Sequence, residues 1–251
     1  MKSKMLAAVP IAPVRREPSD RSEQITQWLF EEPLELLEER DKWSLLRSML
    51  DGYEGWVDNK QIKPASHTFE GQVYYVTAPF TQLASKSQAC WVPHGTRLLL
   101  NAEGYTQSGL FADNGQCSPA LSANANSLET HGKHYLGTSY LWGGRSIWGI
   151  DCSGLMQQLY RIHGIELPRD AYQQASVGET VNLIGEAMPG DLAFFDNEEG
   201  RIIHVGMVLP EGKILHASGQ VRIDQLDHFG IFNQDSQRYS HKLRLITRVL
   251  P

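Results

Sequence analysis

The chain has 251 residues, of which 41% are hydrophobic and 21% charged, with a formal net charge of −6. This is the balance of an ordinary globular protein long enough for two or three domains. Its acidic balance argues against a nucleic-acid partner, which needs a basic face.

The N-terminus, MKSKMLAAVPIAPVRREP, has only a short apolar run, Met5 to Ala12, broken by Pro10. A secretory signal needs a longer unbroken core, and no window approaches the about 18 apolar residues of a membrane span. The expected location is the cytoplasm, with a trimmed exported form as the open alternative; no membrane partner is expected. Residues 1–66 contain EPLELLEERD, KWSLLRSM and DGYEGWVDNKQI, punctuated by Gly52 and Gly55. Their alternation predicts a small β-barrel. LELLEERDKW has reasonable helix propensity, but it stands between Pro33 and a Gly-rich turn, so strand is preferred.

Residues 67–126 repeat the style in GQVYYVTAPF, ACWVPHGTRLLLNAEG and YTQSGLFAD. Val73 to Val76 are strong strand formers and NAEG supplies a hairpin-type turn, so a second small β domain is expected. CSPALSANANSLETHGK reads as a linker entering a short helix. From residue 127 the pattern changes. Leu155, Met156, Leu159, Tyr160 and Ile162 mark one face of a helix from Cys152 to a stop at Gly164. A short helix is expected after Pro168-Arg169-Asp170. The strands DLAFFD, RIIHVGMVLP, GKILHASG and HKLRLITRVL follow, making 127–251 an α+β domain.

Three cysteines do not make a disulfide framework. Cys90, beside Trp91, reads as a buried apolar thiol, and Cys117 as an incidental residue of a DNGQCSP turn. Cys152 stands apart because it falls where a loop enters a helix. There the positive end of the dipole is expected to lower its pKa. His204 lies on a strand beside Gly206, which leaves room for a neighbouring group. His216 lies on the next strand, across a turn at Pro210, Glu211 and Gly212. One histidine could orient the other through a nitrogen-to-nitrogen hydrogen bond, leaving the far nitrogen for the thiol. Cys152, His204 and His216 could instead be zinc ligands, but no CxxC or HxxxH pair and no fourth ligand accompany them. His67, His94, His131, His134, His163, His228 and His241 fall in loops or on expected surfaces and receive no role. Asp191, in PGDLAFF, reads as a turn residue.

The run LGTSYLWGGRSIWGIDCSGLMQQLYRIHGIELPRDAYQQ resembles the NlpC-type cell-wall peptidases of the papain-like superfamily. MPGDLAFFD, IIHVGMVL and ILHASG recur there in the same order. The resemblance covers about 136–220 and implies Cys152 as nucleophile, His204 as base and His216 as the residue orienting it. Tyr140 matches a tyrosine near the oxyanion site. More weakly, SEQITQWLFEEPLELLEERDKWSLLR and DGYEGWV look like bacterial SH3-like domains. This layout is similar to recycling enzymes that cut between γ-D-glutamate and a diamino acid in murein stem peptides with a free L-alanine N-terminus. It implies Ser153 and Asp170 as residues holding that amine, with Glu23 and Tyr53 contributed by the first SH3-like domain. Each has a plainer reading: Asp170 as a helix N-cap, Ser153 as a helix-start residue, Tyr53 as barrel core and Glu23 as a surface charge. The resemblance implies neither metal nor organic cofactor and no obligate protein partner. Lysine and meso-diaminopimelate stay equally open. The rivals are an amidase or acyltransferase with another substrate and a catalytically silent wall-binding adaptor.

Overall fold

The structure is a computed structural model describing residues 3–66, 68–113 and 115–250. His67 lies outside the described residues. The chain forms two compact units, Met1–Leu121 with Trp142–Ile147 and Ser122–Leu141 with Trp148–Pro251.

In the first unit the LELLEERDKW stretch is a hairpin, as its strand reading expects. Pro33–Glu39 and Trp43–Ser48 pair antiparallel, and Ser44, Leu46 and Ser48 point inward by the two-residue period of a strand. Both belong to a seven-stranded sheet closed over Ala7, Ala12, Val14, Trp28, Leu34, Leu46 and Val57. Residues 72–118 add a two-stranded hairpin and a three-stranded sheet, which cover Val76, Leu83, Val92, Leu98 and Leu110. Cys117 is not an incidental turn residue. It pairs with Val76 in a strand and lies in this core, where burial pushes its thiol up to about 11. Cys90 is half-buried against the same cluster.

The boundary of this unit is not a single cut near residue 126. Trp142–Ile147, a few residues before Cys152, belongs to it. Buried Arg145 explains the attachment: its Nη1 donates to Gln27 O at 2.8 Å and to Glu32 Oε2 at 3.2 Å. A guanidinium out of water requires such partners.

The second unit starts with helix α1 (Ala125–Gly132), capped by Asn124. Helix α2 (Cys152–Arg161) and the one-turn helix α3 (Ala171–Gln174) follow. Next come strands β1 (Glu179–Val181), β2 (Leu192–Asp196), β3 (Ile202–Leu209), β4 (Lys213–Ser218), β5 (Gln220–Leu226), β6 (Gly230–Asn233) and β7 (Arg238–Arg248). Their order is β1-β7-β2-β3-β4-β5-β6, and pairing of β6 with β7 closes a barrel. Its interior holds Ala193, Phe195, Val208, Ile214, Leu226, Ile231 and Ile246. The other face of β3 and β4 carries Val205, Met207, Leu215 and Ala217, all buried, and α2 packs on these two strands. This unit has the expected α+β layout, while the first is built of strands.

Candidate active site

Asp151 caps α2, its Oδ1 accepting the Gly154 N–H at 2.7 Å. The same carboxylate pairs with buried Arg169, whose Nη1 also donates to Ser153 Oγ at 2.9 Å. Ser153 in turn donates to Asp151 at 3.3 Å. Gln174 of α3 donates to the Ser153 carbonyl at 3.0 Å. These buried contacts set the helix entrance and so place Cys152, its first residue.

The Cys152 thiol accepts the backbone N–H of Val205, the residue after His204. The expected lowering of its pKa is not what the site produces. Burial pushes the thiol up to about 12 and the Asp151 charge adds to this, against the Val205 and Ser153 N–H groups and Arg169. Loss of hydration by a thiolate outweighs the field of a helix end. The thiol therefore rests protonated at neutral pH and needs a base.

His204, the residue before Val205, is held by a relay of hydrogen bonds. Its Nε2 lies 2.9 Å from His216 Nδ1, and His216 Nε2 lies 3.1 Å from Asp224 Oδ2. All three side chains are buried. Asp224 also accepts from Arg222 Nε at 2.7 Å and Nη2 at 2.9 Å. Burial alone would raise the Asp224 pKa, but the His216 and Arg222 hydrogen bonds hold it at about 2. An ionised carboxylate only accepts, so the proton of His216 sits on Nε2 and its Nδ1 accepts. His204 then donates from Nε2, and its Nδ1 is left as the proton acceptor. Burial, followed by His241 and His216, keeps the His204 pKa well below its ordinary value. The imidazole is thus neutral and competent at neutral pH.

Gly206 makes this relay possible. A Cβ there would stand 2.8 Å from Ile214 Cδ1 and 2.9 Å from His216 Cβ. Gly206→Ala is expected to displace His216, lowering kcat/KM about 100-fold and stability by about 1–3 kcal/mol. Steady-state kinetics and thermal unfolding check both.

His241, left without a role by the sequence, stacks on His204 with ring centroids 4.1 Å apart. Nor do all the remaining histidines lie on the surface: His94 and His163 are buried. His204, His216 and His241 bring their ring nitrogens within 4.8 Å of one another. The donor set does not suit zinc, because two tetrahedral Zn–N bonds of about 2.0–2.1 Å hold their nitrogens about 3.3 Å apart. At 2.9 Å the His204 and His216 nitrogens share a proton instead.

Tyr140 is half-buried, and its N–H donates to Gly219 O at 2.9 Å. Burial, then the charges of Cys152 and Asp151, raise the phenol pKa, keeping it a proton donor. Asp170 is the N-cap of α3, and its N–H donates to Gln173 Oε1 at 3.2 Å, half of a capping box. Ser153 sits in the Asp151–Arg169 network. The structure thus joins His204 to His216 by a hydrogen bond, ties the Cys152 thiol to the residue after His204, and places Tyr140, Ser153 and Asp170 in the same unit. Glu23 and Tyr53 lie in the first unit. Glu23 accepts from Trp142 Nε1 at 2.8 Å and pairs with Arg16 at 2.8 Å; the indole, then the guanidinium, lower its pKa. Tyr53 is half-buried beside a turn, its N–H on Asp51 Oδ1 at 3.0 Å. Sequence reasoning missed Asp151, Arg169, Arg222, Asp224 and His241. Asp151 had a usable signal, an Asp directly before a helix.

A thiol at a helix entrance, tied to the N–H of Val205, and beside it in sequence a histidine that a second histidine and a carboxylate orient, are the parts a thiol acyl-transfer centre requires. The NlpC/P60 family matches residues 137–239, and a bacterial dipeptidyl-peptidase SH3 domain matches residues 14–62. The chain is 32% identical over 212 residues to the γ-D-glutamyl-L-lysine dipeptidyl-peptidase of Bacillus subtilis (strain 168), covering 76% of this chain and 71% of that protein. It is 32% identical over 192 residues to the Bacillus cereus protein of the same name, covering 66% of this chain and 57% of that one. In fold it is similar to the crystal structure of an NlpC/P60 family protein from Bacillus cereus. The TM-score is 0.85 at 23% identity, covering 99% of this chain and 100% of the other. The chain belongs to the NlpC/P60 family, with a bacterial SH3 domain at its N-terminal side.

Proposed function

We propose that the protein is a cysteine endopeptidase that hydrolyses the γ-D-glutamyl–diamino acid bond of murein stem peptides bearing a free N-terminal L-alanine. The carrying observation is the His204–His216–Asp224 relay beside Val205, whose N–H the Cys152 thiol accepts, in a chain similar across its SH3 and peptidase parts to γ-D-glutamyl-L-lysine dipeptidyl-peptidases. His204 Nδ1 takes the thiol proton as sulfur attacks the γ-carbonyl of D-glutamate. The Cys152 N–H and the Tyr140 phenol face the oxyanion. The C–N bond breaks as His204 returns the proton to the leaving amine. His204 then deprotonates water, which attacks the thioester; the C–S bond breaks and Cys152 regains its proton.

Asp170 supplies the counter-charge for the L-alanine ammonium, with Ser153 as a further contact. The released L-Ala-D-Glu suits peptide recycling in the cytoplasm. The test compares release of L-Ala-D-Glu from L-Ala-γ-D-Glu-meso-diaminopimelate and from its N-acetylated form. Cleavage of the free peptide alone is the expected result. Equal cleavage of both would reject the amine-reading role and favour wall lysis. Thiol-dependent turnover of other amides alone would favour the amidase, and binding without turnover the silent adaptor.

A further inference from the structure

A cleft of about 840 Å³ opens in the second unit beside the catalytic base. Its walls include Ile203, the residue before His204, and His241, the ring stacked on His204. Phe229 and Tyr239 flank it, edge to face with centroids 5.6 Å apart and both exposed. Asp196 also lines the cleft, yet its side chain is only 7% exposed. Among the described residues its Oδ1 has no hydrogen-bond partner. Its Oδ2 faces Arg244 Nε at 3.7 Å, too far for a hydrogen bond. A carboxylate oxygen withdrawn from water without a donor is costly. A ligand donor removes that cost.

The strand register relates this carboxylate to the base. Phe195 stands opposite His204, but the β2–β3 ladder then slips and Asp196 stands opposite Ile202. Ile203 is the extra residue of a bulge, a device that re-aims side chains beside active sites. Asp196 is thus offset from His204 by two residues of β3, about 7 Å along the strand. On its other side it stands opposite Lys242 of β7, which also lines the cleft.

We propose that this cleft holds the departing half of the substrate, with Asp196 pairing with the ammonium at the end of that residue's side chain. Lys242 meets a carboxylate of the same residue. The inference rests on the peptidase reading above, in which His204 protonates the leaving amine, so the departing residue lies on the base's side of the thiol. The four-carbon stem of lysine, or the similar arm of meso-diaminopimelate, spans an offset of this size. Phe229 and Tyr239 suit both the apolar stem and its cation. Asp196 therefore selects a cationic leaving residue over a neutral one of similar length.

The experiment measures kcat and KM for three peptides, L-Ala-γ-D-Glu followed by L-lysine, meso-diaminopimelate or L-norleucine, with wild type and Asp196→Asn. Wild type is expected to favour at least one cationic peptide over norleucine by about tenfold or more in kcat/KM, carried mainly by KM. Asp196→Asn is expected to bring that ratio towards one, and the better cationic peptide identifies the residue taken. Equal wild-type values for all three peptides, or a preference untouched by Asp196→Asn, would overturn the cleft assignment and leave the peptidase reading standing. No wild-type turnover of any of the three would overturn the peptidase reading, and this one with it. Should Asp196→Asn not fold, Phe229→Ala, at an exposed wall of the cleft, is expected to raise KM for the cationic peptides, and an unchanged KM would overturn the cleft assignment.

Discussion

Cys152→Ala is expected to abolish hydrolysis of L-Ala-γ-D-Glu-diamino acid peptides, with kcat falling about 10⁵-fold or more. In the proposed reaction the sulfur is the atom that bonds to the acyl carbon, and no other described side chain of the site replaces it. The change should leave the fold intact, because the Asp151–Arg169 pair and the Gly154 cap that hold the helix entrance do not involve the thiol. Kinetics with circular dichroism separate the two effects. The raised thiol pKa adds a second readout. Iodoacetamide should label wild-type Cys152 slowly at pH 7 and faster as pH rises, because the anion is the reacting species. Fast labelling at neutral pH would mean that a standing thiolate is present and that proton transfer to His204 has already occurred.

Asp224→Asn is expected to lower kcat about 10²- to 10⁴-fold while leaving KM much less changed. The carboxylate holds the proton of His216 on Nε2, and through His216 it leaves His204 Nδ1 free to accept. An asparagine can present an N–H instead. His216 then carries its proton on Nδ1 and donates to His204 Nε2, so His204 keeps its proton on Nδ1 and cannot accept one there. The geometry survives and the base is lost. Asp224 is therefore a positioning residue, and the split between kcat and KM distinguishes this role from a merely structural one. The same substitution should change acid stability. With Asp224 held at about 2 instead of 3.8, the ionised form contributes about 2 kcal/mol above pH 3.8, lost as pH falls towards 2. Urea unfolding between pH 5 and 2 should show a shallower acid loss in the variant.

The helix that Cys152 opens and its partner strands were legible because their signals are local. An amphipathic run with Gly164 at its end, a strand with a histidine, and a Pro-Glu-Gly turn each need only a few adjacent residues. The adjacency of His204 and His216 followed from that turn, and Gly206 announced the close approach that its missing Cβ permits. Asp224 was not legible, because it reaches His216 only by the register of a third strand. His241 was invisible for a stronger reason: it joins His204 through barrel closure, with β6 and β7 pairing. At Gly230 a Cβ would come within 1.9 Å of the His241 carbonyl, so the crossing needs glycine.

The amino-acid sequence by itself determined the order of elements in the second unit and the adjacency of the two histidine-bearing strands, since each depends on nearest-neighbour patterning and on residue chemistry. Tertiary structure alone decided three further matters. The thiol is held protonated, because burial acts on it more strongly than the helix end does. Trp142–Ile147 joins the N-terminal unit, because Arg145 finds its carboxylate and carbonyl partners there. His204 keeps one nitrogen outside the relay, because a buried carboxylate two hydrogen bonds away dictates where each proton sits. All three depend on which groups lose water together, and that is set by packing between residues far apart in the chain.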